Sequence, residues 1–377
     1  MPAAAQRCSL SVATDCSGME TPIMALQNLG VDVDHVFSCD VNKHAKATIM
    51  ANYPPKLFFD DLTKRDNAKA PKADLYVAGF PCQPFSTAGL QQGFSDARGR
   101  GEIFWHVRDY LEQQKPRVFV LENVSGLVRI NKGEYYRAIL QALEALNMYD
   151  VYSKILDTKE HGIPHNRKRI YFVGISKRHN DGSFSFPDAV ACPSIKLFLD
   201  PPGKQQVVKG CLPPKSSGTA YANVRQALKE LSAQKSCKPY EVPYVVDCDS
   251  SGARMKYMKE VTPCLTCSRA KGHWVTSLGR RLKEEEMMRL QGMLPEKFKI
   301  VVPRRQLGIQ IGNAMSVNVL ERIFVRALPA ARLVPHNALA DRWKRGKTPS
   351  ELIAARTKKR PIAHSRTDTG KPKRKRI

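Results

Sequence analysis

Two side chains in this chain are typed and spaced for covalent chemistry. Cys82 follows the apolar run Leu75-Tyr76-Val77-Ala78 and the turn-forming Gly79-Phe80-Pro81, so a thiol stands where a buried strand gives way to a loop. Arg117–Leu121 is a second apolar run, and it leads into Glu122-Asn123-Val124. In an open α/β sheet the substrate crevice lies beyond the carboxyl ends of the strands. Two such ends, one carrying a thiol and one a carboxyl group, put a nucleophile and an acid at one rim, aimed at a shared substrate.

The elements that must position them follow from the pattern. Strand-like runs at Ser9–Thr14, His35–Cys39, Leu57–Phe59, Asp74–Ala78, Arg117–Leu121, Val151–Leu156 and Arg169–Ile175 alternate with helix-like segments. The clearest helices are Thr21–Leu29, Lys43–Asn52, Ile103–Gln114 and Tyr135–Leu146, with apolar residues three and four apart. This alternation predicts an α/β fold with a largely parallel sheet covered on both faces. After Lys177 the prolines at 187, 193, 201, 202, 213 and 214 predict an irregular insertion or second, smaller domain without long regular elements. Helices are expected again at Lys283–Leu290 and Ala314–Leu328.

With 377 residues the chain can bury a sizeable core, and its hydrophobic fraction of 42% fits a folded soluble protein. No stretch approaches the roughly 20 apolar residues that cross a bilayer, and Met1–Arg7 lacks the apolar core of a signal peptide. The expectation is an intracellular protein without a membrane partner. Ten scattered cysteines fit reduced thiols. The 61 basic against 35 acidic side chains give a net +26 and call for a polyanionic partner. Residues 343–377 hold thirteen Lys or Arg against Glu351 and Asp368, a net +11, so the remainder still carries 26 − 11 = +15. The polar, basic stretch beyond Arg345 reads as a disordered tail.

An ordered series of words across most of the chain resembles the carbon-5 cytosine-specific DNA methyltransferase family: Ser17-Gly18-Met19, Gly79-Phe80-Pro81-Cys82-Gln83, Glu122-Asn123-Val124, Ile163-Pro164-His165-Asn166-Arg167-Lys168-Arg169, Arg289-Leu290-Gln291-Gly292 and Gln310-Ile311-Gly312-Asn313-Ala314. The resemblance implies a Rossmann-like fold that uses S-adenosylmethionine, releases S-adenosylhomocysteine and methylates carbon 5 of cytosine in double-stranded DNA. It also implies a small irregular target-recognition domain. Cys82 would add across carbon 6 of a flipped-out base, Glu122 would relieve charge at ring nitrogen 3, and Arg167 and Arg169, alternating on one strand face, would reach the base, its phosphate or Glu122.

The donor pocket implied by the likeness takes in Cys16, Ser17, Gly18, Met19, Asp40, Val41, Asp61, Leu62, Pro81, Asn313 and Ala314. Asp40 would hold the ribose hydroxyls and Asp61 would stand near the adenine amino group. Where the family usually shows Phe-x-Gly-x-Gly, this chain has Cys16-Ser17-Gly18-Met19-Glu20, without the aromatic and the second glycine. Gln83, Ser86, Arg98, Arg100 and Asn123 are expected to contact the nucleic acid, the first four in a Gly-rich loop between Cys82 and Gly101.

The expected organisation is a catalytic domain at 1–177, a target-recognition region at 178–272, a return to the catalytic domain at 273–342 and the basic tail at 343–377. Cys264 and Cys267 form one Cys-x-x-Cys, with Cys237 and Cys248 at spacings unlike common zinc sites, so no metal is expected. Lys371–Arg376 resembles a nuclear-localisation signal and equally a DNA-backbone arm, which reads as nuclear placement and an epigenetic role. A monomer is assumed. Two rivals remain at this point: a tRNA-methylating branch, which carries Cys-Phe-Thr where this chain has Cys264-Leu265-Thr266, and a nucleic-acid-binding relative without activity.

Overall fold

The computed structural model describes residues 9–81, 103–201 and 211–344. Its first half alternates as read: β1 (Leu10–Asp15), α1 (Thr21–Leu29), β2 (Val33–Cys39), α2 (Lys43–Asn52), β3 (Leu57–Phe59), β4 (Leu75–Ala78), α3 (Ile103–Gln114), β5 (Val118–Val124), α4 (Glu134–Glu144), β6 (Tyr149–Asp157) and β7 (Lys168–Ser176). The sheet order is β3-β2-β1-β4-β5-β7-β6, parallel except for β7, which runs antiparallel to both its neighbours. Central strands bury both faces, which is why they read as continuous apolar runs. In β4, Leu75 and Val77 join one core with Val12, Val118 and Val120, while Tyr76 and Ala78 join the opposite core with Phe37, Phe119 and Leu121.

From β1 the chain steps outward through β2 and β3, then crosses back to lay β4 on the other side of β1. This reversal is a topological switch point, and it opens a crevice at the carboxyl ends of β1 and β4. Local signals set the helices beside it. Asn42 caps α2 by accepting from His44 N and Ala45 N. Gly30, at φ 80°, closes α1 in the left-handed region that glycine tolerates.

Three elements differ from the sequence reading. β5 continues to Val124, three residues past the expected end, because antiparallel β7 pairs with it through Glu122, Asn123 and Val124. A fifteen-residue helix, α5 (Gly218–Ser232), interrupts the stretch expected to be irregular. No proline falls between Pro214 and Pro239, and Ala220, Val224, Ala227, Leu228 and Leu231 form a buried helical stripe. Finally, the helix expected over Ala314–Leu328 is α8 (Val317–Ala330), and a further helix not read from the sequence, α7 (Arg304–Asn313), precedes it, the two separated by an extended Ala314 at φ −63°, ψ 146°.

A second sheet, order β11-β10-β8-β9, is built from β8 (Tyr244–Val246), β9 (Tyr257–Lys259), β10 (Trp274–Val275) and β11 (Arg280–Arg281). It therefore draws strands from both sides of residue 272. Val245 and Val275 pack into the main core, while Val246 and Trp274 pack on α5. After α6 (Glu284–Arg289), helix α7 lies so close to the chain at 266–270 that side chains are excluded. A Cβ on Gly308 would stand 2.1 Å from the Ala270 carbonyl oxygen, and one on Gly312 would stand 2.3 Å from the Thr266 carbonyl carbon.

Gly174, in the middle of β7, faces Phe119, and a Cβ there would fall 2.0 Å from the ring. Gly174→Ala is expected to lower stability by about 1–3 kcal/mol through overpacking, read as a lower thermal unfolding midpoint.

Candidate active site

The carboxyl ends of β4 and β5 meet as the sequence requires. A Cβ built on Gly79 would lie 3.8 Å from Glu122 Oε2 and only 2.8 Å from Met315 Cε, so glycine is what lets the chain after β4 pass over the carboxyl group. Asn123 Nδ2 donates to the Phe80 carbonyl at 3.3 Å, and Asn123 Oδ1 accepts from Val124 N. Expected to touch the substrate, Asn123 is instead buried, and it braces the segment leading to Cys82. Cys82 itself, with Gln83, Ser86, Arg98 and Arg100, lies outside the described residues.

Glu122 is 8% exposed, and burial pushes its carboxyl above the usual carboxylate range, while Arg169 and then Arg167 pull it back. On antiparallel β7 Glu122 pairs with Tyr171, and Arg169, two positions along, pairs with Val124, so it stands diagonally across from Glu122 on the same face. Its Nε is 3.1 Å from Glu122 Oε1, although Oε1 has no aligned hydrogen-bond donor among the described residues. The contact is thus an ion pair, and the carboxylate keeps accepting capacity for a substrate. Cys264 Sγ lies 4.0 Å from both Arg169 Nη atoms, which brings the segment after β9 to the same rim.

Arg167, expected to reach the base, its phosphate or Glu122, turns its guanidinium to backbone carbonyls. It is 2% exposed, and its Nη atoms donate to the carbonyls of Leu265 at 2.7 Å, Gly312 at 3.2 Å and Ala314 at 2.8 Å. A guanidinium presents donors in a fixed fork, and here that fork ties β7 to two segments about 100 and 150 residues away. His165 works beside it. Its Nε2 accepts from Leu265 N, so Nδ1 carries the proton to the Leu290 carbonyl, and burial holds the ring neutral.

At the switch point, Cys16 (φ 52°), Gly18 (φ 56°) and Glu20 (φ 55°) make a turn of left-handed residues. Gly18 N donates to Asp40 Oδ2 at 2.9 Å and Asn42 N to Oδ1 at 2.8 Å. Burial raises the Asp40 carboxyl from its usual value, and those two amides oppose the rise. One amide per oxygen leaves further lone pairs for a ligand hydroxyl. Val41, next in sequence, is 77% exposed, an apolar surface beside the carboxylate. Asp61 Oδ1 accepts from Thr63 N and Oγ1, which holds its carboxyl below the usual range. These groups fit the expected sulfonium nucleoside: open acceptors for ribose hydroxyls, an apolar face and a second carboxylate.

Other expected donor residues turn their side chains into the fold. The Ser17 hydroxyl is enclosed by Thr14, the Cys39 carbonyl and Cys39 N, and Met19 (1% exposed) and Leu62 (4%) are core. Cys16 is partly exposed, but burial of its sulfur, with Asp40 and Asp15 close by, raises its thiol well above the usual value, which disfavours the thiolate. Pro81 is the last described residue before the thiol. Asn313 ends α7 exposed, and the Ala314 carbonyl receives Arg167.

Sequence reasoning missed Arg65. Buried against Phe37, Phe59 and Tyr110, it pairs with Asp15 through both Nη atoms at 2.8 and 2.7 Å, and Tyr76 Oη donates to the same carboxylate. This fixes the end of β1 from which the donor turn starts. An Arg after the acidic end of a strand was the available signal, but only packing reveals its partner. Among the described residues no cluster of three or more His, Cys, Asp or Glu side chains could hold a metal, and no helix is long and apolar enough to cross a membrane.

A family model described as C-5 cytosine-specific DNA methylase matches residues 16–328. The chain is 32% identical over 287 residues to the type II methyltransferase M.NgoBI of Neisseria gonorrhoeae, covering 76% of this chain and 84% of that protein. It is 32% identical over 294 residues to M.HaeII of Haemophilus aegyptius, covering 77% and 84%. Among solved structures, the fold is similar to that of the Entamoeba histolytica methyltransferase EhMeth, with TM-score 0.61, 15% identity and coverage of 85% and 98%. It is also similar to the Schizosaccharomyces pombe Dnmt2 methyltransferase, with TM-score 0.54, 18% identity and the same coverage.

Arg167→Lys is expected to destabilise the fold by about 3 kcal/mol, since a point ammonium cannot serve three buried carbonyls at once; denaturant unfolding reads this. Arg169→Ala removes the foremost charge that lowers the Glu122 carboxyl, so its titration should move further up, followed by the carboxyl carbon shift in NMR.

Proposed function

Because this chain belongs to the C-5 cytosine-specific DNA methylase family and takes its methyl group from S-adenosylmethionine, we propose that it methylates cytosine within double-stranded DNA through a transient Cys82 adduct on a base turned out of the helix. The observation that carries this reading is the Glu122 carboxyl, buried at the rim of the sheet, paired with Arg169 and braced through Asn123 to the Phe80 carbonyl, two residues before Cys82.

Carbon 5 of cytosine is a weak nucleophile. Addition of the Cys82 thiolate to carbon 6 opens the carbon 5–carbon 6 double bond and makes carbon 5 nucleophilic, and a carboxyl group at ring nitrogen 3 accommodates the charge that develops. Loss of the carbon 5 proton after methylation would expel the thiolate and restore the double bond. A Glu122 raised by burial holds its proton more readily than an exposed carboxyl group, which suits a donor to that nitrogen. Arg169 orients the carboxyl while limiting the rise. The donor, when bound, supplies an electrophilic methyl on a positively charged sulfur. Gly18, Asp40, Val41, Asp61 and Asn313 are the residues we assign to hold it, and Cys16, Ser17, Met19, Leu62 and Ala314 shape the walls behind them.

A reacting atom inside a stacked duplex is out of reach, so base extrusion is the natural counterpart of this site. We assign Gln83, Ser86, Arg98 and Arg100 to the nucleic acid, and α5 with the second sheet to recognition of the target. The +15 outside the tail and the +11 within it suit a phosphate backbone. Nuclear placement rests on Lys371–Arg376 alone, and the bacterial relatives lend it no support.

Incubation with labelled donor is expected to mark duplex DNA and leave tRNA unmarked, and sequencing of chemically converted DNA should find the label at cytosine carbon 5. Labelling of tRNA alone overturns the reading. Cys82→Ser should abolish transfer with donor affinity nearly unchanged, and Glu122→Gln should slow transfer by roughly 10²–10⁴-fold. A Cys82→Ser enzyme with full turnover removes the adduct.

A further inference from the structure

Glu20 occupies the place of the second glycine in the donor turn, yet it adopts the backbone that a glycine there would supply, at φ 55°, ψ 43°. Its side chain is wholly buried. Oε1 accepts from Thr14 Oγ1 at 2.7 Å and Ser38 Oγ at 2.6 Å, joining the carboxyl ends of β1 and β2. Oε2 has no hydrogen-bond partner among the described residues. The neighbouring Asp15 has Arg65 as a counter-ion, whereas Glu20 has among the described residues only His35, whose Nε2 is 3.5 Å from Oε1. Its charge reaches the pocket wall, since Glu20 is among the causes that raise the Asp40 carboxyl.

A buried acid without a Lys or Arg partner is costly to keep. The turn needs only backbone freedom, which glycine gives without that cost, so the carboxylate calls for a cationic beneficiary. The one charge that appears and disappears at this turn during the reaction is on the donor: S-adenosylmethionine carries a sulfonium, and loss of its methyl leaves a neutral thioether.

We propose that Glu20 is a positioning residue that also makes the pocket charge-selective, favouring the sulfonium donor over its thioether product. The carboxylate acts through space, from behind the turn, and lowers the free energy of a positive sulfur without touching it. It thereby aids product release, because the attraction vanishes with the methyl group. The inference rests on the donor lying in the crevice between β1 and β4.

Calorimetric titration of the full-length protein with S-adenosylmethionine and with S-adenosylhomocysteine tests it. In Glu20→Gln the amide oxygen still accepts from Thr14 and Ser38, and the expected result is roughly tenfold weaker donor binding with product binding unchanged. Glu20→Gly suits the positive φ and guards against a misfolded glutamine variant; it should show the same selective loss. A purely structural strut would weaken both ligands alike, and an equal shift, or none, in both variants overturns the proposal. Asp40→Asn is the control on the site itself and should weaken both ligands. If it leaves both affinities untouched, the donor-site reading fails and this inference with it. If it weakens both while the Glu20 variants keep the wild-type ratio, the inference alone falls.

Discussion

The Arg167 guanidinium is buried with no carboxylate ion pair among the described residues, and its donors converge on the carbonyls of Leu265, Gly312 and Ala314. A charge in that position is tolerated because several oriented carbonyl dipoles replace the lost water. The arrangement joins the first residue before β7, the segment leaving the second sheet and the end of α7. Those three pieces carry, in order, the partner of Glu122, the Cys264 thiol beside it and the Asn313 side of the donor crevice. Gly308 and Gly312 allow the joint to close, because any side chain there would strike the backbone of Thr266 or Ala270. The start of β7, the segment leaving the second sheet and the end of α7 thus meet at one buried cation.

Two acidic groups at the rims of the sheet are treated differently, and the difference follows from their partners. Asp15 is paired bidentately with Arg65, which lies among aromatic rings, and this anchors the end of β1. Among the described residues Glu122 has one ion pair and an oxygen without an aligned donor, and burial dominates, so its carboxyl rises. Incomplete satisfaction of a buried group is unfavourable for folding and is a recurring mark of sites that act on substrates.

The antiparallel β7 has a further consequence. A parallel neighbour at that position would run its carboxyl end toward the same rim as β5. The reversal instead brings the beginning of the strand, and with it Arg167 and Arg169, up to the carboxyl end of β5. One inverted strand therefore places basic side chains at a rim otherwise supplied with acids and a thiol.

Much of this was legible in the residues alone. Continuous apolar runs and helical spacing predict the seven strands and the first four helices, since local periodicity reports burial directly. The ordered words from Ser17 to Ala314 identify the chemistry. The order of strands, the extension of β5 through Val124 and the antiparallel sense of β7 depend on pairing between distant segments, which periodicity does not encode. Composition also misled where proline density masked the stripe of α5, and where Gly308 and Gly312 weakened the signal of α7. The type of residue at 20, 65, 123 and 167 was plain from the start, but whether each would face a ligand, a counter-ion or three backbone carbonyls was settled only by packing. A side chain's role depends on which neighbours desolvate it and which donors or acceptors they offer, and those neighbours come from everywhere along the chain.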